Sequence, residues 1–298
     1  MKVKVSRKYT LKFQKMAFGG EAEGEVLEVE SFYDEKGNIT EQVNSDEEGN
    51  LIEKSIFLYD ASNRIIKHEL HMLVDDVHEI LVYERDDKGR VLSETKMYGD
   101  DPGEQTLYSY AEHESPVSIQ RFDADGEHES FEELTYNDAG YPVEHLKFGP
   151  DKLLVEKTTI SYNSNNKPVE KLLMDSNGNL LKTTLIVYDE KGQLTRVTEK
   201  NDAGKVISDI ISLYDERGNV IERKVKDFHS RTIRFKFDEH DNCIEEEMLD
   251  ENGNMTMKSN FEFDENNLLI SESGYFTDMN RSSNMSNSHS RYEYEFYE

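Results

Sequence analysis

One phrase recurs about ten times along the chain, and that repetition constrains the fold more than any bulk property. With the tyrosine of the dipeptide YD as anchor, the copies fall at Tyr33, Tyr59, Arg85, Tyr110, Tyr136, Tyr162, Tyr188, Tyr214, Phe237 and Phe263. The steps are 26, 26, 25, 26, 26, 26, 26, 23 and 26 residues, and nine of the ten anchors are aromatic in a chain that is 10% aromatic. A fixed period of this length marks one supersecondary unit copied along the chain, each copy burying its apolar groups against its neighbours.

The residues around the anchor say which unit it is. The next position is usually Asp or Asn, as in Asp34, Asp60, Asn137 and Asp215, whose side chains bond the backbone two residues on. Four residues after the anchor stand Gly37, Asn63, Gly89, Glu114, Gly140, Asn166, Gly192, Gly218, Asp241 and Asn267, nearly all types that tolerate a left-handed backbone. This predicts a hairpin turn of type I closed by a left-handed residue.

The flanks alternate as strands do. Two positions before the anchor are Phe57, Tyr83, Tyr108, Leu134, Ile160, Ile186, Phe235 and Phe261, with Ser31 and Ser212 the polar exceptions. After the turn comes an apolar pair, such as Ile65–Ile66 or Val220–Ile221, and then a polar residue in every copy. Pro116, Pro142 and Pro168 share the first position of that pair, which suits the first residue of a strand. Second turns, such as SDEEGN at 45–50, DSNGN at 175–179 and DENGN at 250–254, complete the unit.

The expected fold is therefore all-β: a repeat array of antiparallel β-hairpins with a 26-residue period, forming one long, twisted, coiling sheet of about twenty strands. In this reading the anchors stack into a continuous aromatic row, and residues 1–298 form a single domain. Residues 1–25 supply N-terminal cap strands and 26–275 hold about ten repeats. Residues 276–298 form a loop, over 282–290, and a C-terminal edge strand, RYEYEFYE.

Composition bounds the function. Of 298 residues only 35% are hydrophobic and 33% are charged, yet 16 Tyr and 14 Phe set the chain apart from disordered acidic sequences. A formal net charge of −28 argues against a general nucleic-acid binder, which needs clustered Lys and Arg. A single cysteine, Cys243, gives no internal disulfide framework. No stretch has the apolar length of a membrane span or a signal peptide, so the expected compartment is cytoplasmic, or the cell envelope or the exterior, as a secreted protein, if a signal has been removed.

The phrase YDxxGN followed by an apolar pair, clearest at Tyr33–Asn38, Tyr188–Gly192 and Tyr214–Asn219, resembles the YD-repeat or Rhs family of bacterial proteins. The degenerate pattern covers roughly 26–275. The resemblance implies a β-hairpin array; in large members of the family such arrays coil into shells around toxin domains. This chain has few repeats for a shell and lacks the family's self-cleaving core with its DPxG signature. DDPGE at 100–104 matches it in part and reads as a plain turn.

The chemical candidates all have plainer readings. His68 and His71, three apart around Glu69, would point to opposite faces of a strand, unlike the helical HExxH pair. Cys243 takes a position filled elsewhere by Ile39, Val91 and Val220 and reads as a small packed residue. Glu245, Glu246 and Glu247 read as a solvated acidic run, and the acidic turns lack the twelve-residue calcium loop with its final Glu. The basic start, with Lys2, Lys4, Arg7, Lys8, Lys12 and Lys15, is expected to dock on the acidic body of the same chain.

The expectation is thus of no catalytic, cofactor-binding or metal residues and no cofactor. The chain would be a non-enzymatic binding or scaffolding surface, with another protein as partner. Alternatives are a glycan-binding module using exposed tyrosines, an immunity or chaperone partner of a toxin, and a hydrolase, which calls for clustered carboxyls of raised pKa.

Overall fold

The computed structural model describes residues 2–15, 21–112, 114–277 and 285–298. Among the described residues there is no helix, and 22 antiparallel strands form one sheet. Nor is there any helix long and apolar enough to cross a membrane. In chain order the strands begin with β1 (Val3–Lys15), β2 (Glu21–Tyr33), β3 (Ile39–Ser45), β4 (Leu51–Tyr59), β5 (Ile65–Met72) and β6 (Val77–Arg85). There follow β7 (Val91–Tyr98), β8 (Asp101–Tyr110), β9 (Pro116–Phe122), β10 (His128–Tyr136), β11 (Pro142–Phe148) and β12 (Leu154–Tyr162). The next are β13 (Pro168–Asp175), β14 (Leu180–Tyr188), β15 (Leu194–Asn201), β16 (Val206–Tyr214) and β17 (Val220–Lys226). The last are β18 (Ser230–Phe237), β19 (Cys243–Leu249), β20 (Met255–Phe263), β21 (Leu269–Thr277) and β22 (Met285–Phe296).

Contacts divide the chain into two compact units, Met1–Ile80 with Arg231–Glu298, and Leu81–Ser230. In the second unit β7 to β17 pair strictly in sequence. In the first, β2 to β5 and β18 to β22 also pair in sequence, and β1 joins the two runs by pairing with both β2 and β22. Val3 faces Phe296 and Thr10 faces Ser290. Within the first unit β1 thus joins the first strands of the chain to the last, which corrects the open coiling sheet with free ends expected from the repeat. β22, expected to end in an edge strand, pairs over Met285–Arg291 with β21 and over Ser290–Phe296 with β1. Residues 285–290, expected in a loop, belong to β22, while 282–284 lie outside the described residues.

Every anchor is the last residue of an even-numbered strand, and the residue six later is the first of the next. The turn between them closes by two backbone hydrogen bonds. At Asp34 these are Asp34 N–H to Asn38 O (2.9 Å) and Gly37 N–H to Asp34 O (3.0 Å), and the pattern returns at Asp60, Asp86, Asn137, Asn163, Asp189, Asp215, Asp238 and Asp264. The carboxylate of Asp34 also accepts the backbone N–H groups of Lys36 and Asn38, both at 2.9 Å. Positive φ falls at Gly37, Asn63, Gly89, Gly140, Asn166, Gly192, Gly218, Asp241 and Asn267, the positions the phrase assigns to it. The second turns use the same geometry, as at Asp46–Asn50 and Asp175–Asn179.

A bulge follows each anchor turn. Tyr59 pairs with Ile65 but Leu58 pairs with Lys67, so Ile66 is the extra residue. Ile66, Leu92, Ile221, Ile244 and Ile270, the second members of the apolar pairs, are consequently exposed rather than buried. Conventional core is scarce: among the described residues only Val5, Ile80 and Val225 are buried hydrophobics, against eight buried polar or charged residues. Two of those eight are Ser31 and Ser212, the polar exceptions at the position before the anchors.

The anchors are joined differently from the expected stack. Successive anchors lie two strands apart, about 9.5 Å at normal strand spacing, which exceeds the reach of a ring pair. A hydroxyl bridges the gap instead. Tyr59 donates to the carbonyl of Ile39, Tyr110 to Val91, Tyr136 to Pro116, Tyr162 to Pro142 and Tyr214 to Leu194, each at 2.7 Å. In each case the acceptor is the first residue of the strand beside it. Burial raises the pKa of Tyr59, Tyr110, Tyr136 and Tyr162, which keeps these phenols protonated and able to donate.

Candidate functional site

The residues weighed from sequence are placed first. His68 stacks on Phe57 (centroids 4.4 Å apart, 2° between planes) with Nε2 3.3 Å from Ser55 Oγ, and burial lowers its pKa. His71 is apart from it, stacked on His78 at 3.9 Å beside Glu69. Cys243 opens β19 opposite Phe237, and burial raises its thiol pKa, the reverse of an activated nucleophile.

Glu245 and Glu247 share the ammonium of Lys258 at 2.7 and 2.8 Å, and Lys236 also pairs with Glu245. Glu246, between them on the strand, is placed opposite Ser259. In the acidic turns the carboxylates of Asp46, Asp175 and Asp250 are taken up by backbone N–H groups of their own loops. Arg7 pairs with Glu30 (2.6 Å) and Glu295 (2.5 Å), and Lys8 with Glu28 (3.1 Å), all within this chain. His113 lies outside the described residues.

In the second unit the face that carries the anchors holds a groove of about 630 Å³ crossing β10 to β15, lined among others by His145, Glu156, Lys171, Lys182, Ile186 and Glu199. Part of its charge is matched within the chain. Lys182 reaches Glu199 at 2.8 Å, and beside the groove the buried carboxylate of Glu132 accepts from Arg121 and from His145 at 2.7 Å. Burial alone would raise the Glu132 pKa, but those two hydrogen bonds outweigh it and hold it below the usual carboxylate range. Among the described residues every Asp or Glu with a displaced pKa is displaced downward, so the raised pair that general acid catalysis calls for is not among them.

The opposite face of the same unit is a different surface. Seven residues before their anchors, Val155, Leu181 and Ile207 are 53%, 44% and 42% exposed on β12, β14 and β16. One residue before theirs, Val187 and Leu213 are both 49% exposed. Alternation counted from the anchors places Val187 and Leu213 on the face away from the anchors, with Leu185 and Ile211, whereas Val155, Leu181 and Ile207 are the extra residues of bulges where β12, β14 and β16 begin. Strand spacing and rise make this area about 19 Å by 20 Å, or roughly 400 Å². Lys157 and Glu144, paired at 2.5 Å, and Arg196 and Asp209, paired at 2.7 Å, lie on the same face, and Arg196 stands on β15 between Val187 and Ile211. Sequence reading missed this patch because it followed the anchors, the position two before them and the apolar pair after the turn. The signal was available, since Val155, Leu181 and Ile207 recur at the 26-residue period.

Fold and surface together define an all-β hairpin-repeat protein with a polar groove and a group of exposed aliphatic side chains in its second unit. The sequence matches no family profile and no curated protein. Solved structures similar to it include the Photorhabdus luminescens Tc holotoxin pore, at 13% identity over 96% of this chain and 18% of that one, with a TM-score of 0.48. Another is the TcdB2–TccC3 complex, at 14% identity over 90% of this chain and 16% of that one, with a TM-score of 0.36. A porin-like protein from Bacteroides uniformis aligns over 98% of each chain at 11% identity, with a TM-score of 0.31. The chain spans about a fifth of the length of the Tc toxin components it matches.

Proposed function

We propose that this chain is a YD-repeat-like protein whose second unit binds another protein through the apolar rows Val155–Leu181–Ile207 and Val187–Leu213. The observation that carries the reading is this patch: five large aliphatic side chains, four to five tenths exposed, that recur at the repeat period on β12, β14 and β16. Isolated exposed aliphatics are ordinary, whereas a recurring group of them with paired charges close by is a common protein-interaction surface. Roughly 400 Å² is half of the ~800 Å² each partner buries in a standard complex, leaving the rest to the surface around it. The net charge of −28 selects a partner with a neutral or basic face.

The test is capture from the native organism with the wild type and with a Leu181→Asp/Ile207→Asp double variant, followed by measurement of the recovered complex with purified components. The expected result is a partner held by the wild type and lost, by at least 100-fold in affinity, by the variant of unchanged circular dichroism. A partner bound equally by both, or bound through the groove face, overturns the assignment. Self-association abolished by the same variant would make the partner a second copy.

A further inference from the structure

From the β5–β6 hairpin we infer a metal site that the repeat does not require: Glu69, His71 and His78 form a three-ligand centre for Zn²⁺. His71 and His78 stand at equal distances from the middle of the turn 73–76, one on each strand, and their rings stack with centroids 3.9 Å apart and 17° between planes. Glu69 precedes His71 by two residues and so shares its face of β5. Its Oε2 lies 3.6 Å from His71 Nε2 and 3.4 Å from His78 Nε2.

Those spacings fit an ion. Donors bound at about 2.0–2.1 Å around a tetrahedral Zn²⁺ lie about 3.3 Å from each other. The three donor atoms fall within 4.8 Å of one another, so closure needs only that the two rings splay out of their stack. His78 Nε2 is also buried, and its 3.4 Å contact to Glu69 Oε2 is not a well-formed hydrogen bond. A buried polar atom without a well-formed hydrogen bond is costly, and a metal would supply a partner.

The carboxylate is held ready. Lys67 Nζ takes Glu69 Oε1 at 2.7 Å, which leaves Oε2 turned toward the histidines in the way outer partners orient a metal-bound carboxylate. The side chains of Glu69, His71 and His78 are 21%, 32% and 34% exposed, so a fourth position remains open to water. Two imidazoles and one carboxylate suit Zn²⁺, with Cu²⁺ and Ni²⁺ as competitors, rather than Ca²⁺ or Mg²⁺, which prefer all-oxygen shells. A bound ion would tie β5 to β6 across a turn whose Leu73 and Val74 are exposed. His78 escapes a motif search because its partner lies across the hairpin, and only the equal distances to the turn give it away.

The experiment is a Zn²⁺ titration of the full chain against a chromophoric chelator, for the wild type and for Glu69→Gln, His71→Ala, His78→Ala and, as control, His145→Ala. One tight equivalent is expected in the wild type and in His145→Ala, weakened at least about 100-fold in either histidine variant, since even outer-shell changes cost 10–100-fold. Co²⁺ in the same site should give the intense visible bands of a tetrahedral ion. A second readout needs no variant: histidine-selective ¹⁵N spectra of the wild type should show Nε2 signals of two histidines moving together up to one equivalent. Equal binding by the wild type and both histidine variants, or a Co²⁺ spectrum of octahedral type throughout, would mean adventitious binding to the acidic surface and would overturn the site.

Discussion

Replacing an anchor tyrosine by phenylalanine isolates the contact that ties each hairpin to the one before it. Tyr59 and Tyr214 are the cleanest positions, donating at 2.7 Å to Ile39 O and Leu194 O respectively. The ring itself is not at issue, because Phe237 and Phe263 already occupy the equivalent place in two repeats. A neutral hydrogen bond contributes about 0.5–1.5 kcal/mol net, and a fully buried orphaned carbonyl costs about 1–3 kcal/mol. Here donor and acceptor residues are only half-buried, so water replaces the phenol and the lower range applies. Each variant should lose about 1 kcal/mol.

The two sites lie in different units and share no partner, so the double variant should lose about 2 kcal/mol. In equilibrium urea denaturation with m near 3 kcal/mol/M, that means a midpoint lower by about 0.3 M for each single change, with m itself unchanged. The converse substitution, Phe263→Tyr, should raise the midpoint if Cys243 O accepts as its counterparts do. Midpoints that stay within about 0.1 M for both single variants would refute the view that the hydroxyl, and not the ring alone, joins successive repeats.

The turn makes two further predictions. At Gly37, where φ is 91° and a Cβ would meet nothing within 4 Å, Gly37→Ala should cost about 1 kcal/mol from backbone strain alone, while Gly37→Asn should cost less, because Asn63, Asn166 and Asn267 hold the same conformation; urea midpoints distinguish the two. Asp34 and Asp250 have lowered pKa values, first through hydrogen bonds from Asn38 and Asn254, and the same direction holds at Asp60, first through the Arg64 backbone N–H. A depressed carboxyl stabilises the fold above its unfolded value of about 3.9 and ceases to as pH falls through the lower folded value, so the urea midpoint should fall between pH 5 and pH 3 and Asp34→Asn should flatten part of that fall.

Much of the fold was legible because its information is local. Period, strand ends and turn conformation follow from which residues accept positive φ and which side chains bond their own loop, and these act over fewer than six residues. The anchors end strands and the prolines begin them for that reason. The same locality explains what misled. A ring at a regular position suggests stacking, but two strands of spacing separate successive anchors, and only a hydroxyl at the ring's tip reaches across.

Register across a bulge is likewise invisible to a pattern that counts alternation, so the exposure of Ile66 and Ile221 could not be read from it. The candidate sites were the least legible part. His78 meets His71 through strand pairing, and the apolar rows gain their meaning only when β12, β14 and β16 align in register.

The amino-acid sequence by itself determined the hairpin, its two turns and its 26-residue copying, since each is decided by neighbours along the chain. Tertiary structure alone decided that β1 would meet β22, that the anchors would join through hydrogen bonds, and that both faces would stay half-covered. The physical reason is that such contacts join residues far apart in sequence, so their register depends on strand neighbours that no single repeat contains.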